Sequence, residues 1–322
     1  MSIPYEVGIA INEEMNTLRK RSIFKGCIHE DANCSEIINA HSIQENRYLN
    51  KISDVGEVMC IDFGKRALSY GKKLDRVGKK KASTFTGFCK YHDNIIFKPI
   101  EEYDYEYANL EQNYLFAYRA FAMNYYERHC TYGFMKEHLR KITKLEEESK
   151  ALKSDIVEYK EYFIDRMEKL RKSMNNNLNN KRFDRICTEI LEWPKNFETA
   201  ATTMYFVHRD REGNIINGLQ GGLAPFFFTM IPQDDKTFIL LSYLAKDKAR
   251  YGFVKKQIVS KHLSEQMVLI SNILALNVEN FFISPRRWAS IPENMRKLFI
   301  EICDSEYMPL PMGFYENLNI FC

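Results

Sequence analysis

Two short segments near the N-terminus carry the residue types that bind transition metals. The first, GCIHEDANCSEIINAHSIQ (26–44), holds two cysteines, and the second, STFTGFCKYHDNIIFKPIE (83–101), holds a C-x2-H pair. Structural zinc takes four sulfur or imidazole ligands in a tetrahedron, so each segment can supply half of one site. The predicted zinc ligands are Cys27, Cys34, Cys89 and His92. Two alternatives stay open: His29 replaces one of these ligands, or the thiols are buried as small apolar groups without a metal.

A strongly basic stretch lies between these two segments. GKRALSYGKKLDRVGKKKAST (64–84) carries a single acidic residue, Asp75, in a chain whose net charge is only +3. The basic residues are Lys65, Arg66, Lys72, Lys73, Arg76, Lys79, Lys80 and Lys81. A segment of this kind can follow a phosphate backbone without reading its sequence, so it predicts contact with nucleic acid. An acidic protein partner and a merely solvated surface are the alternatives.

The order of motifs in this region resembles a zinc-bearing HNH endonuclease module, which is a treble-clef or ββα-metal finger. The resemblance covers residues 22–101: a cysteine pair, a strand ending in AHSI, and the helix start G-F-C-x-x-H-D. It implies that Cys89 and His92 are zinc ligands. It also implies that His41 is the general base that activates water against a phosphodiester. Asp93 stands where the family commonly has a histidine that binds the catalytic metal.

The function implied by the resemblance is metal-dependent cleavage of nucleic acid, with DNA and RNA both open as substrates. A carboxylate such as that of Asp93 suits Mg²⁺ or Mn²⁺, and a neutral imidazole such as that of His41 titrates near working pH. The family often has Asp before the base, where this chain has Ala40, and some family members also carry Ala there. His41 as a core histidine or a zinc ligand is the alternative.

Two further functional hypotheses belong to other classes. The first is a non-catalytic zinc-finger protein that binds nucleic acid or a protein partner. The second is a regulatory or scaffold protein that acts through its helical and C-terminal regions. A small nuclease-like module joined to a larger unassigned part also resembles prokaryotic defence effectors, which is an argument by analogy.

Helical periodicity begins near Glu106. Apolar residues from Leu110 to Tyr125 recur at spacings of three and four, and the segment 136–174 carries a coiled-coil-like seam surrounded by charges. This pattern predicts an antiparallel helical hairpin. The seam of the second helix either packs on the first helix or mediates a homodimer.

The C-terminal part changes period again. TMYFVHR is predicted as a strand, and PFFFTMI and TFILLSYLA as two strands of a hairpin joined by the turn residues PQDDK. Helices are predicted at 247–258, 262–280 and 292–302. Because strands and helices are segregated, the predicted fold class is α+β. The predicted units are a zinc-binding HNH-like module (1–102), a long helical hairpin (103–182) and an α+β domain with an antiparallel sheet and several helices (183–322).

Composition limits the class of protein. The chain has 322 residues, of which 45% are apolar, so it can form a sizeable core, and its net charge excludes a histone-like polycation. The sequence contains no uninterrupted apolar run of membrane-spanning length and no export signal at its start, so we expect no membrane partner and a cytoplasmic location. In that compartment the eight cysteines are expected to be free thiols or metal ligands.

Overall fold

The computed structural model describes residues 5–29, 31–61, 74–143, 146–218, 222–304 and 315–322. Nine strands lie within these ranges. They are β1 (Ile37–His41), β2 (Glu57–Ile61), β3 (Leu74–Gly78), β4 (Thr84–Cys89), β5 (Ile186–Trp193), β6 (Thr199–Tyr205), β7 (Phe226–Gln233), β8 (Lys236–Leu244) and β9 (Phe281–Ile283).

The α-helices of the described ranges are α1 (Tyr5–Arg21), α2 (Asn50–Ile52), α3 (Lys90–Ile96), α4 (Lys98–Glu101), α5 (Leu110–Lys141), α6 (Glu146–Tyr159), α7 (Asp165–Asn179), α8 (Leu263–Asn277), α9 (Pro285–Ser290) and α10 (Glu293–Asp304). Short π-helical turns at Glu45–Leu49, Lys160–Ile164 and Lys255–Val259, and 3₁₀ turns at Phe183–Arg185 and Ala245–Asp247, connect them. Within the described residues, no helix has both the length and the apolar character needed to cross a bilayer.

The predicted α+β class is confirmed, and its centre is a seven-stranded sheet. The strand order is β3-β2-β9-β6-β7-β8-β5, and all neighbouring pairs are antiparallel. β7 and β8 form the predicted hairpin. Both are apolar on both faces because two hydrophobic clusters cover the sheet: Phe227 and Leu240 pack in the cluster that includes α5, whereas Phe228 and Ile239 pack in the cluster that includes α8.

The helical hairpin is present and antiparallel. The Tyr114 hydroxyl near the start of α5 donates to the Met174 carbonyl near the end of α7 at 2.6 Å. Farther along α5, the Arg128 guanidinium lies 4.4 Å from the centre of the Phe163 ring. The seam of α6 and α7 buries Ile156 and Met167, as expected for packing within one chain.

Two predicted helix positions are wrong. The second hairpin helix does not begin at residue 136, because α5 continues to Lys141 and α6 begins at Glu146. Helix-forming charged residues lie on both sides of this break, so periodicity alone could not locate it. The predicted helix at 247–258 is not continuous, because the chain there forms the short turns Ala245–Asp247 and Lys255–Val259.

The central sheet includes strands from both ends of the sequence. β9 pairs on one side with β6 and on the other with β2, where Met59 lies opposite Ile283 and Cys60 opposite Phe282. β2 and β3 belong to the predicted 1–102 module, whereas the other five strands belong to the predicted 183–322 domain. The sheet is therefore continuous across the predicted boundaries.

A second, two-stranded sheet stands next to a short helix and forms a ββα unit. β1 pairs antiparallel with β4, with Ile37 opposite Cys89 and His41 opposite Thr84, and α3 begins directly after Cys89. Residues 42–83, which include β2 and β3, are inserted between the two strands. This unit carries four of the predicted site residues, which are His41, Cys89, His92 and Asp93.

Candidate metal centre

The four predicted zinc ligands converge on one point. The sulfur atoms of Cys27, Cys34 and Cys89 lie 3.3, 3.5 and 3.3 Å from Nδ1 of His92. All four ligand atoms lie within 4.8 Å of one another. In a tetrahedral site with ordinary zinc–sulfur and zinc–nitrogen bonds, sulfur and nitrogen stand about 3.5 Å apart. The arrangement can therefore hold a metal ion without rearrangement of the chain.

Backbone pairing along β4 brings the first cysteine to the site. The Ile28 N–H donates to the Gly87 carbonyl at 2.9 Å, and the Gly26 N–H donates to the Thr86 carbonyl at 3.3 Å. A Cβ atom at Gly87 would overlap the Phe85 ring and approach Cδ1 of Ile28 to 3.0 Å. Glycine at this position therefore allows the segment carrying Cys27 to lie against β4.

The helix start provides the third sulfur. Cys89 is the N-cap of α3, and its sulfur accepts the backbone N–H of His92 at 3.5 Å. Burial opposes ionisation of this thiol. Hydrogen bonds from the backbone of His92 and of Ser35 outweigh burial and lower the pKa of Cys89 to about 6. Since a thiolate is the form that binds metal, this position favours a metal ligand.

An acidic residue that the sequence analysis missed orients the histidine. Oδ1 of Asp31 lies 3.2 Å from Nε2 of His92 and accepts the backbone N–H of Asn33 at 2.7 Å. A carboxylate can only accept, so Nε2 carries the proton and the lone pair of Nδ1 points at the three sulfurs. This is the usual outer contact of a metal-binding histidine. The available signal was the presence of an acid in the loop between the two cysteines.

His29 lies beside the four-ligand cluster rather than within it. Its ring centre is 4.8 Å from that of His92, in an edge-to-face arrangement. Burial lowers the pKa of His29, so the neutral form is favoured. Its ring nitrogen, an Asp31 oxygen and a nitrogen of His92 also lie within 4.8 Å of one another.

The predicted catalytic base sits at the end of β1. Nδ1 of His41 lies 3.0 Å from the Ala82 carbonyl and 3.2 Å from the Ser83 hydroxyl. Because a carbonyl only accepts, Nδ1 carries the proton and Nε2 is the basic atom. Nε2 lies 3.8 Å from Oε2 of Glu45, and the side chain of His41 is 19% exposed. Burial is the main cause of the lowered pKa of His41.

Ser83 supports the His41 position through an unusual backbone conformation. Its φ angle is 59°, in the left-handed region that serine rarely adopts. The Ser83 hydroxyl donates to the Ile43 carbonyl at 2.9 Å, and the Ser83 carbonyl accepts the Ser42 N–H at 2.9 Å. The Ser42 hydroxyl in turn accepts from Asn280, just before β9, at 2.8 Å. The surroundings of His41 therefore include the C-terminal part of the chain.

The predicted metal-binding carboxylate, Asp93, lies in a buried charge cluster on the first turn of α3. Its nearest charged partner is Arg119 of α5, at 3.9 Å, and Arg119 also forms an ion pair with Glu101 at 2.5 Å. Burial raises the pKa of Asp93 to about 6, although the positive charge of Arg119 opposes this shift. Oδ1 of Asp93 is buried and has no hydrogen-bond partner within the described part of the chain.

His41 and Asp93 do not belong to a common ligand cluster. Among the described residues, the two groups of three or more metal-ligating side chains are the cysteine–histidine cluster and its His29–Asp31–His92 neighbour. Arg119 and Glu101 act electrostatically on both His41 and Asp93. The sequence analysis assigned a functional role to neither Arg119 nor Glu101.

Half of the predicted basic residues can be placed. Lys65, Arg66, Lys72 and Lys73 lie outside the described residues. Arg76 is exposed on β3 and contacts Glu57 at 3.3 Å, and the Lys79 ammonium donates to the Asn50 amide oxygen. Lys80 and Lys81 are exposed in the turn just before the Ala82 carbonyl that holds His41.

No protein-family model, curated protein or solved structure matches the chain. The HNH resemblance therefore rests on the motif residues and their placement alone. Together, the fold and the site define an α+β protein whose N-terminal region contains a Cys3His cluster that can hold a metal ion.

Proposed function

We propose that the chain is a metal-dependent, HNH-like enzyme that cleaves nucleic acid, with a structural zinc ion at the Cys3His cluster. The observation that carries this proposal is the state of His41 at the end of β1. Its Nδ1 donates to the Ala82 carbonyl at 3.0 Å, which leaves Nε2 as the basic atom of a partly exposed ring.

The chemistry of His41 suits general-base catalysis. Its lowered pKa keeps the imidazole neutral at neutral pH, so Nε2 can take a proton from water that attacks a phosphodiester. Once protonated, Nε2 faces Glu45 at 3.8 Å, and this carboxylate would stabilise the imidazolium. Ser83 and Ala82 would keep the ring in one orientation throughout.

The zinc ion would stabilise the elements that position His41. Cys89 and His92 flank the start of α3, and Ile37, at the opposite end of β1 from His41, pairs with Cys89. A metal bound to the four ligands would fix β1, β4 and α3 relative to one another. The donor set supports zinc as the bound ion, since three thiolates and one imidazole favour zinc over hard cations.

A second, catalytic Mg²⁺ or Mn²⁺ ion is implied by the resemblance, and Asp93 is the residue that would hold it. The buried Oδ1 of Asp93 has no hydrogen-bond partner among the described residues. It therefore fits a ligand role, because Mg²⁺ commonly takes one or two carboxylates and keeps several waters. When bound, such an ion would stabilise negative charge on the phosphate. Arg119 and Glu101 would position Asp93 through the ion pairs that surround it.

The exposed turn beside His41 supports nucleic acid as the substrate. Lys80 and Lys81 are exposed within three residues of Ser83, and no acidic residue lies in that turn. A phosphate backbone bound along this turn would pass close to the base. A role in prokaryotic defence and a cytoplasmic location remain predictions.

A cleavage assay tests the proposal. Zinc-loaded protein is incubated with supercoiled plasmid and with RNA in the presence of Mg²⁺ or Mn²⁺. We expect cleavage by the wild type and a loss of about a hundredfold or more in the rate with His41→Ala, the usual contribution of a general base. His208→Ala, which changes an exposed histidine on another part of the chain, should cleave like the wild type. Equal rates for the two variants would contradict the role of His41.

A non-catalytic zinc module that binds nucleic acid or a protein is the second candidate. The position of Asp93 favours it, because this carboxylate faces Arg119 rather than a cluster of further metal ligands. In that case the protein retards nucleic acid in a gel-shift assay, and the retarded material remains uncut in either metal. Zinc content would be the same for both candidates.

A further inference from the structure

A cleft opens at one rim of the central sheet, between that rim and α7. Its volume is about 660 Å³. One wall is a single face of α7, which includes Arg166, Lys169 and Leu170. The other wall is formed by residues at the ends of β6 and β8 and by residues directly before β7. The cleft shares no described lining residue with the metal cluster or with the surroundings of His41.

The lining of the cleft concentrates positive charge. Five of its described lining residues are basic and none is acidic: Arg166, Lys169, Arg182, Arg185 and Lys246. Arg185 lies 3.9 Å from its neighbour Asp184, and Arg166 stacks over the Tyr162 ring at 4.8 Å. The other three have no acidic partner within the described part of the chain. Such a concentration of cations in a concave site favours binding of an anion with several charges.

The rest of the lining is mostly apolar, with Ser173 and Asn177 as its polar members, and it includes one aromatic ring. Phe206, directly after β6, is the only aromatic residue among the described lining residues, and Leu223, Pro225 and Leu244 complete that wall. The carbonyl of Gly222 at the rim accepts the Arg250 guanidinium at 3.0 Å, so this edge is held in place. A planar apolar group could lie against Phe206 while charged groups reach the cations.

We propose that this cleft binds a nucleotide, that is, a small ligand with two or more phosphate groups joined to a planar base. Its volume lies within the usual range for small-molecule sites, about 300 to 1,000 Å³. The basic residues of the cleft match the phosphate groups of a nucleotide, and the apolar wall with Phe206 matches its base. The proposal goes beyond the nuclease proposal and shares no residue with it, so either can fail while the other holds.

Calorimetric titration of the full chain with Mg²⁺-ATP tests this inference. We expect ATP to bind at least about tenfold more tightly than adenosine or inorganic phosphate alone, since only ATP fills both halves of the cleft. Lys169→Glu and Arg182→Glu each reverse an exposed charge and should weaken ATP binding by about tenfold or more. Lys172→Glu is the matched control on the same helix, exposed but outside the cleft, and should stay within about twofold.

Three outcomes would overturn the proposal. One is the absence of ATP binding at millimolar concentration by protein whose thermal melting is normal. Another is equal weakening by Lys169→Glu and Lys172→Glu, which would mean general attraction to a basic surface. The third is tighter binding of oligothymidylate than of ATP, with an affinity that increases with the length of the oligonucleotide. That result would identify the cleft as a binding site for single-stranded nucleic acid.

Discussion

The contact between Asp31 and His92 makes a sharp prediction about metal affinity. Replacing Asp31 by Asn keeps the size of the side chain but removes the negative charge 3.2 Å from Nε2 of His92. Carboxylates that support a metal-binding histidine typically contribute about ten- to a hundredfold in affinity. The Asp31 side chain is 39% exposed, so solvent screens part of this effect, and we expect a loss of about tenfold in zinc affinity. Competition with a chromogenic chelator measures it.

Two further variants define what the result means. Cys34→Ser removes a ligand and should reduce zinc affinity far more than Asp31→Asn. Glu36→Gln removes a nearby exposed carboxylate whose partner is Lys90, at 3.7 Å, and should leave affinity unchanged. If Asp31→Asn binds zinc as tightly as Glu36→Gln does, the carboxylate does not support His92 and our assignment of its tautomer is wrong.

Two other predictions concern buried charge. Arg119→Met should lower the free energy of unfolding in urea by about 3 kcal/mol, because Asp93 and Glu101 would lose their shared buried cation. The second prediction is a pH dependence at His41. Burial lowers the pKa of His41 in the folded chain, with Arg119 acting in the same direction and Glu45 and Glu101 in the opposite one. The folded chain therefore binds fewer protons than the unfolded chain, in which the pKa of histidine is about 6.5. The stability of the wild type relative to His41→Gln should then be full above this pH and decrease as the pH falls through the lowered pKa.

Each of these predictions has a control within the chain. Arg140→Met on the same helix removes an exposed ion pair with Glu137, and its cost should stay below about 1 kcal/mol. A cost for Arg119→Met as small as this would contradict a buried cation with two partners. His208→Gln should leave the pH profile of unfolding unchanged, whereas identical profiles for the wild type and His41→Gln would refute the linkage argument.

The sequence by itself identified the four residues of the Cys3His cluster that can hold a metal ion, and it identified the fold class. Cys27, Cys34, Cys89 and His92 could be found because thiols and imidazoles are scarce and chemically distinctive, so two short segments that contain them stand out. The hairpin of β7 and β8 was equally clear, since two apolar strand-like runs are separated by turn residues. The cluster residues and the hairpin could both be predicted because they depend on residue type and local spacing, which can be read directly from the sequence.

Only the tertiary structure decided which residues surround these local features. Asp31, Arg119 and Ser83 have ordinary residue types, and their roles come from neighbours that the fold brings to them. The pairing of β2 with β9 joins distant parts of the chain, and hydrophobic periodicity cannot predict it. Periodicity indicates which face of an element is buried, whereas the choice of partner depends on how all the elements pack together.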